Sequence, residues 1–252
     1  MSRNFELMQQ TGQVSHAASP QSVMATAKSE RGNGSPRGTR LDFDQIACEE
    51  ALRLVQRIFL LQTQKPPRLV VFAAIDKGSG CSEVCAQVAE TLARNVRGSV
   101  CLVEANFRSP SLPQLFGTTN HFGLTEALLR DGPIRSFAKP LHAENLWLLS
   151  CGSVAVDSPG LLNSDRIKVR FDELRKEFDY VLVDAPPLSP YADAITLGQL
   201  ADGLVLVLEA NSTRREAAVR VAENLRGAQI RVLAAVLNKR TFPIPESLYH
   251  RL

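Results

Sequence analysis

The 252-residue sequence contains no apolar run approaching the roughly 18 residues of a membrane-spanning helix. Its first ten residues lack the apolar stretch of a secretory leader, and no internal repeat is visible. These absences set the expectation of a cytoplasmic chain with no span of its own, any membrane association being borrowed from a partner. Cysteine is sparse and odd in number (Cys48, Cys81, Cys85, Cys101 and Cys151). An odd count without a leader excludes a disulfide-stapled framework and points to a reducing compartment. Cys85, Cys101 and Cys151 lie in or beside apolar stretches that read as core. Cys81 and Cys85 fall one helical turn apart, but no second Cys/His pair lies nearby, and two ligands rarely make a metal or redox site. His16, His121, His142 and His250 show no ligand spacing and read as surface groups. Aromatics amount to only 6%, with three tyrosines in all.

Charge of one sign is also missing. The chain carries 29 Lys+Arg against 26 Asp+Glu, and the excess belongs to residues 1–40, where Arg3, Lys28, Arg31, Arg37 and Arg40 face only Glu6 and Glu30. The remainder balances at 24 of each sign. A balanced body has no clustered basic face to displace counterions from phosphates, so nucleic acid is excluded as an expected partner.

What is present suits one globular α/β domain: 44% hydrophobic and 22% charged residues. Residues 1–40 hold Ser-, Gly- and Ala-rich sequence with no sustained apolar period and are expected to be a flexible tail, leaving 41–252 as the folded domain. Apolar spacing predicts a helix over 42–64, stopped by Pro66-Pro67. Strands are then predicted at 69–75, 100–103, 146–149, 180–183, 204–208 and 232–237, alternating with helices at 82–96, 165–177, 193–201 and 213–226. Continuous apolar strands alternating with amphipathic helices imply a mostly parallel sheet covered by helices on both faces, a three-layer α/β/α arrangement. A ligand then belongs at the carboxyl ends of the strands.

Two of those ends carry chemistry. After the first apolar strand comes Asp76-Lys77-Gly78-Ser79-Gly80-Cys81-Ser82-Glu83, leading into a helix. Glycines between a strand and a helix N-terminus let backbone amides approach an anion, so this run is a phosphate cradle or, on the plainer reading, a tight turn. Against G-x-x-x-x-G-K-[ST], only Gly80 and Ser82 fit; Ile75 replaces the first Gly and Cys81 the Lys. Cys81, at a helix N-terminus, is a candidate for thiolate character. Elsewhere Glu104 and Asp184 close apolar strands, where a carboxylate is costly without a partner. Both are candidates to hold Mg²⁺ or its waters, the alternative for Asp184 being a cap on the loop that follows.

The order of these features resembles the bacterial tyrosine kinases of capsular and exopolysaccharide synthesis. The resemblance rests on the glycine loop, Arg108-Ser109-Pro110-Ser111-Leu112, Leu115-Phe116-Gly117, Gly123-Leu124 and the run Phe178-Asp179-Tyr180-Val181-Leu182-Val183-Asp184-Ala185-Pro186-Pro187. It continues through Asp193-Ala194, Ala201-Asp202-Gly203, Thr213-Arg214-Arg215-Glu216 and Val236-Leu237-Asn238, and so spans residues 41–240. It implies a P-loop NTPase fold related to the septum-placing and partitioning ATPases, with ATP or ADP and Mg²⁺ as ligands. It further implies a transmembrane polysaccharide co-polymerase as partner, homo-oligomers, and a place at the inner face of the cell membrane. Carried over residue by residue, Gly78, Ser79, Gly80, Cys81, Ser82, Glu83 and Asn238 would contact nucleotide. Ser82 and Asp184 would serve the metal, and Asp184, Glu104 and Lys77 the chemistry.

Departures from the family pattern fall on that chemistry. The phosphate-directed Lys is Cys81, and the Asp-x-Asp-x-Arg run reads Glu104-Ala105-Asn106-Phe107-Arg108. The tyrosine cluster that ends such kinases is reduced to Tyr249, the one acceptor candidate, while Tyr180 and Tyr191 read as structural. The ring-forming Glu-x-x-Arg-x-x-Arg motif has a partial counterpart in Glu50, Arg53 and Arg57, which are an oligomer contact or an ordinary solvated helix face. The expectation is a catalytically impaired, kinase-like regulator of exopolysaccharide assembly. The alternatives are an active autokinase using Lys77 and Asp184, and a positioning ATPase.

Overall fold

The structure is a computed structural model and describes residues 14–16, 43–61, 65–142, 145–153, 158–162 and 164–240. Tyr249 and most of the expected tail lie outside the described residues. Along the chain run β1 (Val14–His16), α1 (Phe43–Val55), β2 (Leu69–Ala74), α2 (Cys81–Asn95), β3 (Val100–Glu104), α3 (Leu112–Leu115) and α4 (Leu124–Leu129). There follow β4 (Lys139–Pro140), β5 (Leu146–Leu149), α5 (Ser158–Leu161), α6 (Asp165–Glu177), β6 (Tyr180–Asp184), α7 (Asp193–Gln199), β7 (Gly203–Glu209), α8 (Arg215–Gly227) and β8 (Val232–Asn238). The strands form one sheet in the order β1-β8-β7-β2-β6-β3-β5-β4, parallel throughout except for the β4–β5 pair.

Both faces are covered, and the pleat of β2 shows why its run is uninterruptedly apolar. Leu69, Val71, Ala73 and Ile75 enter a core with Phe171 and Leu174 of α6 and Leu197 of α7. Val70, Phe72 and Ala74 enter the opposite core with Leu54 of α1 and Val84, Cys85, Val88 and Leu92 of α2. Alternate side chains point to opposite faces, so a strand wrapped by helices on both sides has no polar position to offer. Cys85, Cys101 and Cys151 are all buried, as their apolar settings imply.

Several local features go beyond the sequence pattern. The expected helix over 42–64 is α-helical only through Val55; Gln56–Leu60 form a π-turn in which the Leu61 amide donates to the Gln56 carbonyl at 2.7 Å. A π-turn inserts a residue into the helical spacing, so Arg57, half-buried there, does not simply stack one turn beyond exposed Arg53. Val14–His16, within the segment expected to be a tail, pair in parallel with Ala235–Leu237 of β8 and form one edge of the sheet. Among the described residues no helix is long and apolar enough to cross a membrane.

The sheet order places the candidate site. From β2 the chain first builds toward β3 and β5, then returns through β6 to add β7 and β8 on the other side of β2. The crevice at the carboxyl end of β2 is therefore a topological switch point, where two loops diverge and leave room for a ligand. β3 and β6 both extend one residue beyond expectation, so Glu104 and Asp184 are the last residues of the ladder and register neighbours.

Candidate functional site

The loop from β2 to α2 is shaped by two left-handed glycines, Gly78 at φ 82° and Gly80 at φ 77°. Gly80 is the N-cap of α2, and the first intrahelical bond runs from the Val84 amide to the Gly80 carbonyl at 3.1 Å. The amides of Cys81, Ser82 and Glu83 therefore have no acceptor within the helix, which is the arrangement that receives an anion. From behind, β8 fixes the loop's carbonyls. The Asn238 carboxamide donates to the Ser79 carbonyl at 3.0 Å, and the adjacent Lys239 ammonium donates to the Gly78 carbonyl. Across a trans peptide the following N–H points opposite to the carbonyl, so these bonds turn the Ser79 and Gly80 amides away from β8.

Gly80 leaves no room for a side chain: a Cβ there would lie 2.3 Å from Asn238 Nδ2 and 3.1 Å from Glu83 Oε2. Gly80→Ala combines that clash with a left-handed backbone, and a loss of about 1–3 kcal/mol of stability is expected. The midpoint of urea denaturation measures it, and an unchanged midpoint would show that the loop is not held as described.

At the front of the loop the Ser82 hydroxyl donates to Asp184 Oδ2 at 2.6 Å. Asp184 is fully buried, and burial pushes its carboxyl up to about 7, against hydrogen bonds from Ser82 and Cys81 that favour the charged form; Glu83 adds to the rise. Beside it, Glu104 is pushed up to about 8, chiefly by burial, although its Oε1 accepts from the Ser111 amide at 2.7 Å and the Leu112 amide at 3.2 Å. The second oxygens of both carboxyls, Asp184 Oδ1 and Glu104 Oε2, are buried without a hydrogen-bond partner, as are Asn106 Oδ1 and Asn238 Oδ1. Of these, Asp184 is bonded to Ser82, Glu104 is its register neighbour and Asn238 is bonded to Ser79, so three unpartnered acceptors near the loop suit a cation or its waters.

The Cys81 thiol belongs to this group but is no thiolate. Burial, with Asp184, Cys85 and Glu83 adding negative potential, drives its pKa well above the usual thiol value and overrides the helix N-terminus that the sequence suggested would lower it. Cys81 is thus neutral where a cation was to be sought. Cys85 is likewise held protonated, and among the described residues no group of three or more His, Cys, Asp or Glu is placed to hold a metal by itself. Any Mg²⁺ here would take Ser82 and Asp184 directly or through water and complete its shell with phosphate oxygens, as this hard ion commonly does.

The cations near the loop are engaged elsewhere. Exposed Lys77 places its ammonium 5.4 Å from the centroid of the Tyr191 ring. Arg108 lies 3.8 Å from the same centroid and donates to Asp193 at 3.2 Å. Lys239 lies 3.7 Å from Glu209. Tyr191, Asp193 and Lys239 were not singled out from the sequence as parts of the site; the signal available was only that Lys239 follows Asn238 and that Tyr191 follows the Pro-rich end of β6. Glu50 and Arg53 form an ion pair with each other on α1, remote in sequence from the loop.

Comparisons with known proteins place this geometry. No protein-family model matches the chain. It is 28% identical over 210 residues to the tyrosine-protein kinase YwqD of Bacillus subtilis, covering 80% of this chain and 88% of that protein. In structure it resembles the kinase domain of the Escherichia coli tyrosine kinase ETK, with a TM-score of 0.72 at 20% identity, covering 79% of each chain. The septum site-determining protein MinD of Pyrococcus horikoshii, complexed with Mg-ADP, is similar at a TM-score of 0.59 and 18% identity, over 73% of this chain and 76% of that one. The relatives in sequence are bacterial tyrosine-protein kinases, and the fold is the P-loop NTPase fold that those kinases share with MinD.

Proposed function

We propose that residues 41–252 form a tyrosine-kinase-like regulator of exopolysaccharide or capsule assembly that binds a nucleotide but transfers phosphate poorly. It acts at the inner face of the membrane through a transmembrane co-polymerase, with Glu50, Arg53 and Arg57 available for contact with a second copy. The observation that carries this reading is the uncharged, partly buried Cys81 thiol at the loop position from which a Lys would reach the β- and γ-phosphates.

Phosphoryl transfer depends on positioning and on charge stabilisation of the transferring group. In this reading the amides at the start of α2 would cradle phosphates, and Ser82, hydrogen-bonded to Asp184, would hold Mg²⁺ with it. When bound, the metal would neutralise charge on the phosphate oxygens. Asp184 orients Ser82, Asn238 and Lys239 hold the loop from behind, and Glu104 braces the turn into α3 through the Ser111 and Leu112 amides. None of these groups replaces a cation at the γ-phosphate. Losing one such electrostatic contact costs on the order of 3 kcal/mol, about a hundredfold or more in rate.

Purified protein with ATP and Mg²⁺ is therefore expected to show almost no turnover and no phosphotyrosine. Robust autophosphorylation abolished by Asp184→Ala would overturn the reading. If Lys77→Ala also removed it, the ammonium now beside Tyr191 would have to enter the loop during the reaction, and the chain would be an active autokinase with Tyr249 as a candidate acceptor.

A further inference from the structure

We propose that the glycine loop selects a nucleoside diphosphate, bound with Mg²⁺, over the corresponding triphosphate. The inference rests on reading the loop as a nucleotide cradle and goes further, because the two halves of that cradle have separate fates in this chain.

The half that reads the inner phosphates is built. Gly78 and Gly80 are left-handed, the amides of Cys81, Ser82 and Glu83 precede the first bond of α2, and Asn238 and Lys239 fix the carbonyls of Ser79 and Gly78 on the opposite side. Backbone amides at such a turn recognise the α- and β-phosphates without a side chain. The fully buried Asp184 Oδ1 and Asn238 Oδ1 have no hydrogen-bond donor, and acceptors of this kind suit the Mg²⁺, or its waters, that accompanies a nucleotide on those amides.

The half that reads a γ-phosphate is gone, and what stands there opposes it. Cys81 contributes a neutral thiol hydrogen-bonded to Asp184. Around it stand Asp184 and the first-turn residue Glu83, with Glu104 the register neighbour of Asp184, and none of these side chains is a cation. The cations near the mouth are committed: Arg108 to Tyr191 and Asp193, Lys77 to the Tyr191 ring, and Lys239 to Gly78 and Glu209. A third phosphate would bring further negative charge into a crevice lined by oxygen acceptors, with no side-chain cation directed at it from position 81, and an uncompensated charge there is costly. A diphosphate keeps the amide contacts and avoids that cost.

Calorimetric titration of the full chain with ADP, ATP and a non-hydrolysable ATP analogue, each with excess Mg²⁺, tests the proposal. Mg-ADP is expected to bind at least about tenfold more tightly than either triphosphate. Cys81→Lys, which restores a cation to the loop, is expected to remove most of that preference. Equal or tighter binding of the triphosphates to the native chain, or no measurable binding of Mg-ADP, would overturn the proposal. So would a Lys77→Ala variant of the native chain that loses triphosphate affinity alone, since Lys77 would then be reading the third phosphate. Catalytic impairment is judged separately, by turnover: a chain that hydrolyses ATP yet prefers ADP would sink that reading and leave this one standing, and an inert chain that prefers the analogue would do the reverse.

Discussion

Metal-free protein is expected to lose stability as pH rises from about 4 to about 8, and Asp184→Asn to remove a large part of that loss. Burial lifts the Asp184 carboxyl from an ordinary 3.8 to about 7 and the Glu104 carboxyl from 4.5 to about 8. Between the ordinary and the raised values the folded chain binds more protons than the unfolded one, so stability falls as pH increases. Below about pH 4 both states are protonated at these sites, and above about pH 8 both are ionised, so the slope vanishes at either end. A carboxyl whose pKa folding raises by one pH unit costs about 1.4 kcal/mol once ionised, and the two sites together cost on the order of several kcal/mol at alkaline pH. Asn at position 184 still accepts from Ser82 but has no charge to bury. The variant is expected to be more stable than the native chain at about pH 8 and nearly equal to it at about pH 4, where the Asp184 carboxyl is protonated in the folded chain and largely so in the unfolded one. Urea denaturation across that range reads the difference, and a flat native profile would show that neither carboxyl is desolvated as the fold implies.

The second large effect lies away from the loop. Arg170 on α6 is 4% exposed, and its guanidinium donates to the carbonyls of Ala127 at 2.6 Å, Gly132 at 2.8 Å and Arg130, and to Glu173 at 2.6 Å. Two of those carbonyls belong to the end of α4, which lacks intrahelical donors there, so one side chain from α6 caps α4 and fastens the turn that follows. Arg170→Met keeps the apolar stem but leaves three carbonyls without a donor, and a loss of about 3–5 kcal/mol is expected. Lys cannot reproduce the planar fork, so Arg170→Lys is expected to recover less than half. A loss of under about 1 kcal/mol in the urea midpoint analysis would mean that water replaces the guanidinium without penalty.

Much of the framework was legible because it depends on neighbours in sequence. Six uninterrupted apolar runs became β2, β3, β5, β6, β7 and β8, since a strand buried on both faces has no polar position. The edge strand β4 and the short helices α3, α4 and α5 escaped, being two to six residues long and too short to carry a period. Glycines 78 and 80 announced the loop, and Asp184 was visible as an acid closing an apolar strand. Cys81 shows the limit of local reading: its place at a helix N-terminus favours a thiolate, yet burial beside Asp184 and Glu83 decides for the thiol.

By itself, the sequence determined the parallel α/β architecture, the placing of a ligand at the carboxyl ends of the strands and the presence of Cys81 where a phosphate loop carries Lys. Those properties follow from residue type and short-range spacing. The tertiary structure decided the strand order that opens a switch-point crevice at the end of β2, and which charges lie near it. It joined Asn238 and Lys239 to carbonyls 159 and 161 residues away, drew Lys77 and Arg108 onto Tyr191, and set Glu104 beside Asp184 in the ladder. Electrostatics in a buried site depends on distance in space and on desolvation, and neither is written in the order of the residues.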